Sequence, residues 1–552
     1  WEFAEGDGGE QAERPEGQMK LKWQQTTMPG RFIEWSEEAA TSIKFIWARR
    51  TFEVSKAQVK KMAVLRWNRI RFGAAAFING QKVGGNEPTG PYQVILPEGV
   101  LRAGVNKIVL KIPGAAGVRK AASGYFLIPA GFASCHKRGI PAVTDDIWID
   151  FADRVYIKWA LAIPDMAGGK VRIRVTPAGV ERIDELKVTA TVKSWPEGNV
   201  AGSGETSARL ILCADPLGGE NFFVEVPMAN YKAWTYEEPN LYTVEVKISK
   251  EKKALDAVSF RFGMREIEVA DENYKLNGKN LWLRGSNLVF EWEWGNITKN
   301  KEEEYLVTEA REMSMNCFRT HTQPMPRLWA DICDEYGTMV LSEFPALYNY
   351  RNYNFTPEEY EVWHKNVLTD AAGWMGRLWN HPSIVMWVLT NESVNDTEWE
   401  QGPYRDFVLK LDPTRPTMRT GRDGGTKENL DFHMCSNTIW TNEAKLIADI
   451  PNWFEPAKGR TLTNTEYMNI YKRPVCQWTG TDDKEADLLT YAQLGAEHTE
   501  AMRRERLDCL LPYMYAGWTK TRRGEEWKAG YAQPVSACWH NTLSGVLASL
   551  DL

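Results

Sequence analysis

The stretch Asn380-His381-Pro382-Ser383-Ile384-Val385-Met386-Trp387-Val388-Leu389-Thr390-Asn391-Glu392-Ser393 decides how the chain is read. Its apolar run, Ile384 to Leu389, enters after a proline and closes on Thr, Asn and Glu. An unbroken run with no polar alternation fits a strand covered on both faces, as in parallel α/β sheets. In parallel barrels the chemistry gathers where strands end, which makes Glu392 a candidate reagent. Taken alone, Glu392 fits a solvated loop carboxylate equally well.

Outward from that run, strand and helix patterns alternate. Further candidate strands are 280–284, 315–320, 339–343, 417–420, 430–433, 461–465 and 511–518, which with 384–389 makes eight. Two helices have readable ends. Thr356-Pro357-Glu358-Glu359 offers an N-cap, a proline at the first helical position and a Glu three residues past the cap. Leu328, Trp329, Ile332, Cys333 and Tyr336 make an apolar stripe that Gly337 ends. Eight strands with interposed helices predict a C-terminal (β/α)8 TIM barrel over 266–552, with Asn391 and Glu392 after the fourth strand and Glu466 after the seventh.

Ahead of the barrel the period is two. Phe45 and Trp47 open an alternating pattern, Ile78-Asn79-Gly80-Gln81 is a hairpin signal, and Ile108, Leu110 and Ile112 alternate with Lys107, Val109 and Lys111. Residues 1–157 read as an all-β sandwich whose first 40 residues, rich in Glu, Gly and Gln, form an irregular entry. In 158–265, Leu186, Val188, Ala190 and Val192 alternate with Lys187, Thr189, Thr191 and Lys193. At about 100 residues this second unit has the size of an immunoglobulin-like β-sandwich.

The 552 residues carry a net charge of −6 with no basic block, so neither nucleic acid nor membrane is an expected partner. No apolar span has transmembrane length. The 24 Trp and 20 Tyr are numerous; many must be core, but flat aromatic faces also suit sugar rings. The eight Cys form no CxxC pair and no Cys/His cluster of zinc spacing, so neither a disulfide framework nor a metal is expected. The chain starts at Trp1 with no charged-then-apolar leader. A signal peptide is therefore removed or not included, and secreted, periplasmic and cytoplasmic locations stay open. Val546 to Leu552 alternate like the start of a strand beyond the barrel, so a further C-terminal β domain is expected.

Two strand-end carboxylates suit one reaction. Retaining glycoside hydrolysis needs one carboxylic acid to protonate the leaving group and one carboxylate to attack the anomeric carbon, about 5 to 5.5 Å apart. Glu392 and Glu466, on two strands of one barrel, can converge to that separation. An ordinary loop charge would also account for Glu466.

Asn380 to Ile384, with Trp387 and Asn391-Glu392, resembles the acid/base signature of glycoside hydrolase family two, the β-galactosidases, β-glucuronidases and β-mannosidases. Phe262-Gly263-Met264-Arg265 and Leu283-Arg284-Gly285-Ser286-Asn287 resemble that family's entry to its barrel, and Met315 to Thr320 with Cys333 to Gly337 its second strand and helix. Asp412-Pro413-Thr414-Arg415-Pro416 and Thr465-Glu466-Tyr467 resemble its fifth and seventh strand segments. Weaker likenesses at Arg49 to Phe52, Asp146-Ile147-Trp148 and Pro239 to Tyr242 extend to the family's jelly-roll-like, sugar-binding sandwich and its immunoglobulin-like sandwich.

The resemblance implies Glu392 as general acid/base, Glu466 as nucleophile and Asn391 as the holder of the sugar 2-hydroxyl. Arg319, His321, Glu343, Tyr467 and Trp518 are further candidates for binding the substrate, and bland roles are open to them: Arg319 in an ion pair with Glu343, Trp518 in the core, His321 and His433 as structural histidines. The chain departs from the family at Leu288-Val289-Phe290, at Thr320 to Pro324 and at Phe432 to Cys435, all around the sugar pocket, and lacks the glucuronidase Asn-x-Lys. The expectation is a retaining, exo-acting β-glycosidase without a cofactor, acting on a carbohydrate, with self-assembly into a homo-oligomer left open. The losses favour a sugar other than plain galactose, with Arg319, His321 and Arg351 available to an acidic one. The rivals are a catalytically silent glycan-binding protein on the same scaffold and an inverting or transglycosylating enzyme.

Overall fold

The computed structural model describes residues 1–6, 21–33, 36–131, 133–134, 137–179, 186–207, 214–215, 219–251, 253–271, 273–288, 307–308, 310–311, 315–346, 353–393, 396–420, 429–431, 460–467 and 509–512. The side chains of Arg284, Ser286, Leu462, Asn464, Glu466 and Tyr467, and those of 429–431 and 509–512, lie outside the description.

In the front unit, Phe45–Val54 runs antiparallel to Glu2–Gly6 on one side and to Gly104–Pro113 on the other. The entry segment thus adds a strand where an irregular run was expected, because Phe3 and Ala4 bury against the sheet. Asn79 and Gly80, at φ 49° and 87°, close the hairpin between Ala74–Ile78 and Gln81–Asn86. Met62–Trp67, flanked by Tyr92–Ile95 and Ile147–Ala152, contributes Leu65 and Trp67 to the same core.

The second unit packs a three-stranded sheet, built on Lys170–Ala178, against a four-stranded one containing Leu186–Trp195 and Leu241–Lys250. Val188, Ala190 and Val192 are buried while Lys187, Thr189 and Thr191 are half-buried, as the alternation predicts. Val171, Ile173 and Val175 meet them from the facing sheet.

The barrel strands are β1 (Leu283–Leu288), β2 (Cys317–Thr320), β3 (Met339–Glu343), β4 (Ile384–Asn391), β5 (Thr417–Thr420), β6 (Asn429–Asp431), β7 (Thr461–Tyr467) and β8 (Cys509–Pro512). Their order is β5-β4-β3-β2-β1-β8-β7-β6, and β5 meets β6 to close the ring. β3 and β5 coincide with the expected spans. The first strand does not: Lys279–Leu281 pairs antiparallel with Asn273–Leu276 through a turn at Asn277 and Gly278, both at positive φ, so β1 starts three residues later than expected. β4 and β7 each run two residues further than expected, which puts Glu466 inside the end of β7 instead of after it. Residues 432–433 and 513–518 of the expected sixth and eighth strands lie outside the described residues.

Helix α1 (Arg327–Tyr336) ends at Gly337 in the left-handed conformation. Its buried face is Trp329, Ala330, Cys333 and Asp334, whereas Leu328, expected in the stripe, is 53% exposed. The face turns because Asp334 is drawn inward to accept from Ser383 N, Ser383 Oγ and His381 Nδ1. Helix α2 (Pro357–Leu378) begins with the expected capping box, Thr356 Oγ1 accepting from Glu359 N while Glu359 Oε2 accepts from Thr356 N.

β4 is buried along all eight residues, so its side chains pack on both faces of the sheet. Each large apolar side chain enclosed this way contributes about 1.5–3 kcal/mol. The segment before it is an anchor. Asn380 accepts from Ala162 N and donates to Ala160 O, both in the second sandwich. Arg415 donates to Ile384 O, Trp379 O and His381 O, and Arg265 to Pro382 O and Ile384 O. The start of β4 is therefore fixed by hydrogen bonds that leave few carbonyls unpaired.

Candidate active site

At the other end of β4 the chain turns abruptly. Glu392 sits at φ +49°, a left-handed conformation that costs a non-glycine residue energy and needs surrounding contacts to hold it. Those contacts are present on both sides. Glu392 N donates to Thr420 O at 2.8 Å, and Arg419 Nη2 donates to Ser393 O, one residue on. Arg419 is aligned in turn by Glu400 Oε2, 2.7 Å from its Nε. Burial pushes the Glu400 carboxyl above its usual range, and Arg419 pulls it back. Sequence reading missed Arg419 and Glu400.

The centre of the site is Arg319, from β2, which is fully buried. Its Nε donates to Glu343 Oε2 at 2.7 Å, its Nη1 to Asn287 Oδ1 at 3.1 Å and Thr465 O at 3.4 Å, and its Nη2 to Asn391 Oδ1 at 2.6 Å and Thr420 Oγ1 at 3.0 Å. One guanidinium thus ties β1, β3, β4, β5 and β7 together. The expected Arg319–Glu343 pair is present, with His321 Nδ1 2.8 Å from Glu343 Oε1 and 3.0 Å from Arg319 Nη2. A planar fork with five donors can make this set of bonds; a lysine cannot. The reading of Arg319 as available to an acidic sugar is therefore corrected, since its nitrogens bind protein.

Asn391 Oδ1 accepts from Arg319 and also from Thr420 Oγ1 at 2.7 Å, which fixes the amide's orientation. Its Nδ2 is buried and has no hydrogen-bond partner among the described residues. The backbone of Glu466 follows directly on Thr465, whose carbonyl accepts from both Arg319 and Asn287. The structure therefore brings Asn391, Arg319, His321, Glu343 and the strand end carrying Glu466 into one site. Trp518, Arg351 and His433 lie outside the described residues, as do the side chains of Glu466 and Tyr467.

Asp331, Asp334 and His381 could offer three ligand atoms to a metal, but Asp334 already accepts three donors and Asp331 accepts from Arg261. They also flank the entry to β4, the opposite end from Glu392.

Residues 267–476 match the family described as "Glycosyl hydrolases family 2, TIM barrel domain", and residues 153–265 match "Glycosyl hydrolases family 2". A β-galactosidase of Thermoanaerobacter pseudethanolicus is 25% identical over 464 residues, covering 82% of this chain and 56% of that protein. A β-galactosidase of Photobacterium profundum is 28% identical over 248 residues, 43% of this chain and 23% of that protein. This chain thus spans roughly half or less of the length of these curated relatives. The structure of Bifidobacterium dentium β-glucuronidase complexed with coumarin-3-O-glucuronide superposes with a TM-score of 0.73 at 18% identity, covering 99% of this chain and 96% of that one. The chain belongs to glycoside hydrolase family 2.

Proposed function

We propose that the protein is a retaining, exo-acting β-glycosidase with Glu392 as acid/base and Glu466 as nucleophile. The observation that carries this reading is the double grip of Arg319, which binds the residue before each carboxylate: the Asn391 side chain and the Thr465 carbonyl. A rigid bridge between β4 and β7 is what two carboxyl groups need if they are to stand about 5 to 5.5 Å apart. The left-handed backbone at Glu392 supports it too, because such conformations cluster where function requires them.

In the first step a Glu466 oxygen attacks the anomeric carbon, the glycosidic C–O bond breaks, and the departing oxygen takes the Glu392 proton. In the second, Glu392 takes a proton from water, whose oxygen attacks the same carbon and frees the Glu466 carboxylate. Asn391 Nδ2 donates to the sugar 2-hydroxyl, and Arg319, Glu343 and His321 act through Asn391 by holding it. Tyr467 and Trp518 are proposed as further sugar contacts. The units 1–157 and 158–265 are proposed as jelly-roll-like and immunoglobulin-like sandwiches, with the catalytic barrel at 266–552. The substrate is a terminal β-linked sugar, galactoside-like or glucuronide-like, and competing aryl β-galactoside and β-glucuronide assays choose between them.

Proton NMR of the first sugar released from an aryl β-glycoside tests the mechanism: a β-anomer is expected, and an α-anomer overturns it. No hydrolysis of any aryl β-glycoside would favour the glycan-binding alternative.

A further inference from the structure

The front sandwich approaches the end of β3 at residues 128–131 and 133–134. Ser134 Oγ accepts from Ala130 N at 2.8 Å and donates to Ile128 O at 2.9 Å, and Ser134 N donates to Gly131 O at 3.0 Å. Ile128, Ala130 and Ala133 are buried in a small core with Phe72 and Phe126. The described residues of this turn are therefore held by both hydrogen bonds and packing. Its tip, Gly131, donates its N–H to Pro345 O, two residues past the end of β3, at 3.0 Å.

Gly131 has φ +56°, and a Cβ there would stand 2.3 Å from Thr322 Oγ1 and 2.8 Å from Gln323 Nε2. That is roughly 1 Å short of ordinary van der Waals contact. From the same sandwich, Arg69 Nη2 donates to Pro324 O at 2.6 Å, with its guanidinium 4.5 Å from the Trp374 ring of α2. Gly131 thus lies close against Thr322 and Gln323 while Arg69 binds Pro324 O, so the sandwich meets residues 322–324, which follow His321, and His321 bonds to Glu343 and Arg319.

We propose that Gly131 and Arg69 are positioning residues for the active site: the sandwich sets the segment after β2, and through His321 it sets the Arg319 network that holds Asn391. The kinetic part of this inference rests on the glycosidase reading above; the structural part does not. A displacement of about 1 Å at a catalytic group can cost on the order of a hundredfold in rate.

The test compares Gly131→Ala with Gly198→Ala. Gly198 also has positive φ, +78°, but has nothing within 4 Å of its Cβ position. It therefore reports backbone strain alone. With an aryl β-glycoside, Gly131→Ala is expected to lower kcat ten- to a hundredfold with KM changed less than threefold, and Gly198→Ala to leave both near the unmutated values. Arg69→Met should lower kcat in the same way, and the double variant Gly131→Ala/Arg69→Met should lose less than the product of the two. Hydrogen exchange over 319–324 supplies a readout independent of activity: faster exchange in Gly131→Ala than in Gly198→Ala supports the inference even if no glycoside is cleaved. Equal exchange in the two variants, or equal loss of kcat, overturns it.

Discussion

Arg319 Nη2 donates to Asn391 Oδ1 at 2.6 Å, and neither residue is accessible to solvent. The bond joins β2 to β4 one residue before Glu392, and Asn391 Nδ2 is buried with no hydrogen-bond partner among the described residues. Arg319 also satisfies Glu343, so two functions share one cation: charge balance for a buried carboxylate and orientation of an amide.

Those functions separate by mutation. Arg319→Met should destabilise the protein by about 3–5 kcal/mol, because the buried Glu343 loses its arginine and keeps His321 beside it. Adding Glu343→Leu should recover most of that stability while kcat stays at least a hundredfold down. Thermal melts and aryl glycoside kinetics on the single and double variants check this; recovery of activity along with stability would refute the orienting role.

The Asn391 donor has its own signature. A 2-deoxy glycoside should react more slowly than the parent glycoside with the unmutated protein, by roughly ten- to a hundredfold, since one buried hydrogen bond is worth about 1–3 kcal/mol when its partner is removed. Asn391→Ala should narrow that ratio to near unity. A ratio unchanged by the mutation would mean that Nδ2 does not meet the 2-hydroxyl.

What the sequence could and could not show follows from how each feature is encoded. Burial on both faces writes itself as Ile384 to Leu389, and one-sided burial as the alternation from Leu186 to Val192, so the barrel strand and the sandwich strand are both legible. The capping box at Thr356 and the Gly337 stop are local chemistry and are legible for the same reason. Arg419 and Glu400 stand 19 residues apart and carry no periodic pattern, so nothing local marks their pairing under the Glu392 turn. Gly131 is equally silent, since its role depends on Thr322 and Gln323, which lie far along the chain. Asn380 to Ser383 is a subtler case. The motif pointed to the site, yet its residues anchor the far end of β4 to the second sandwich and to Asp334.

If Glu392 delivers the proton, its loss should be felt in proportion to how much the leaving group needs one. Glu392→Gln should slow substrates with alkyl leaving groups by several orders of magnitude and spare those with nitrophenyl groups comparatively. Hydrolysis rates plotted against leaving-group pKa should steepen in the variant. Parallel plots for the two proteins would remove Glu392 from the acid role.

The last expectation concerns pH and the contact between the front sandwich and α2. Asp370, buried in α2, accepts from Gly90 N at 2.7 Å and from Trp374 Nε1 at 3.0 Å. Burial pushes its carboxyl up to about 7, against the pull of those two donors and of the Arg69 charge. A carboxyl with a raised pKa in the folded state keeps its proton after the unfolded chain has released it. Its contribution is therefore favourable at low pH and is lost as pH rises from about 4 through 7, up to about 4 kcal/mol in all. Asp370→Asn cannot ionise and should lack this loss. Thermal midpoints of the two proteins at pH 5 and pH 8 give the comparison: the unmutated protein should fall relative to the variant on going to pH 8. Other titrating groups affect both proteins alike and cancel in that difference. A constant gap between the two midpoints would show that Asp370 is ionised throughout, held so by Gly90, Trp374 and Arg69.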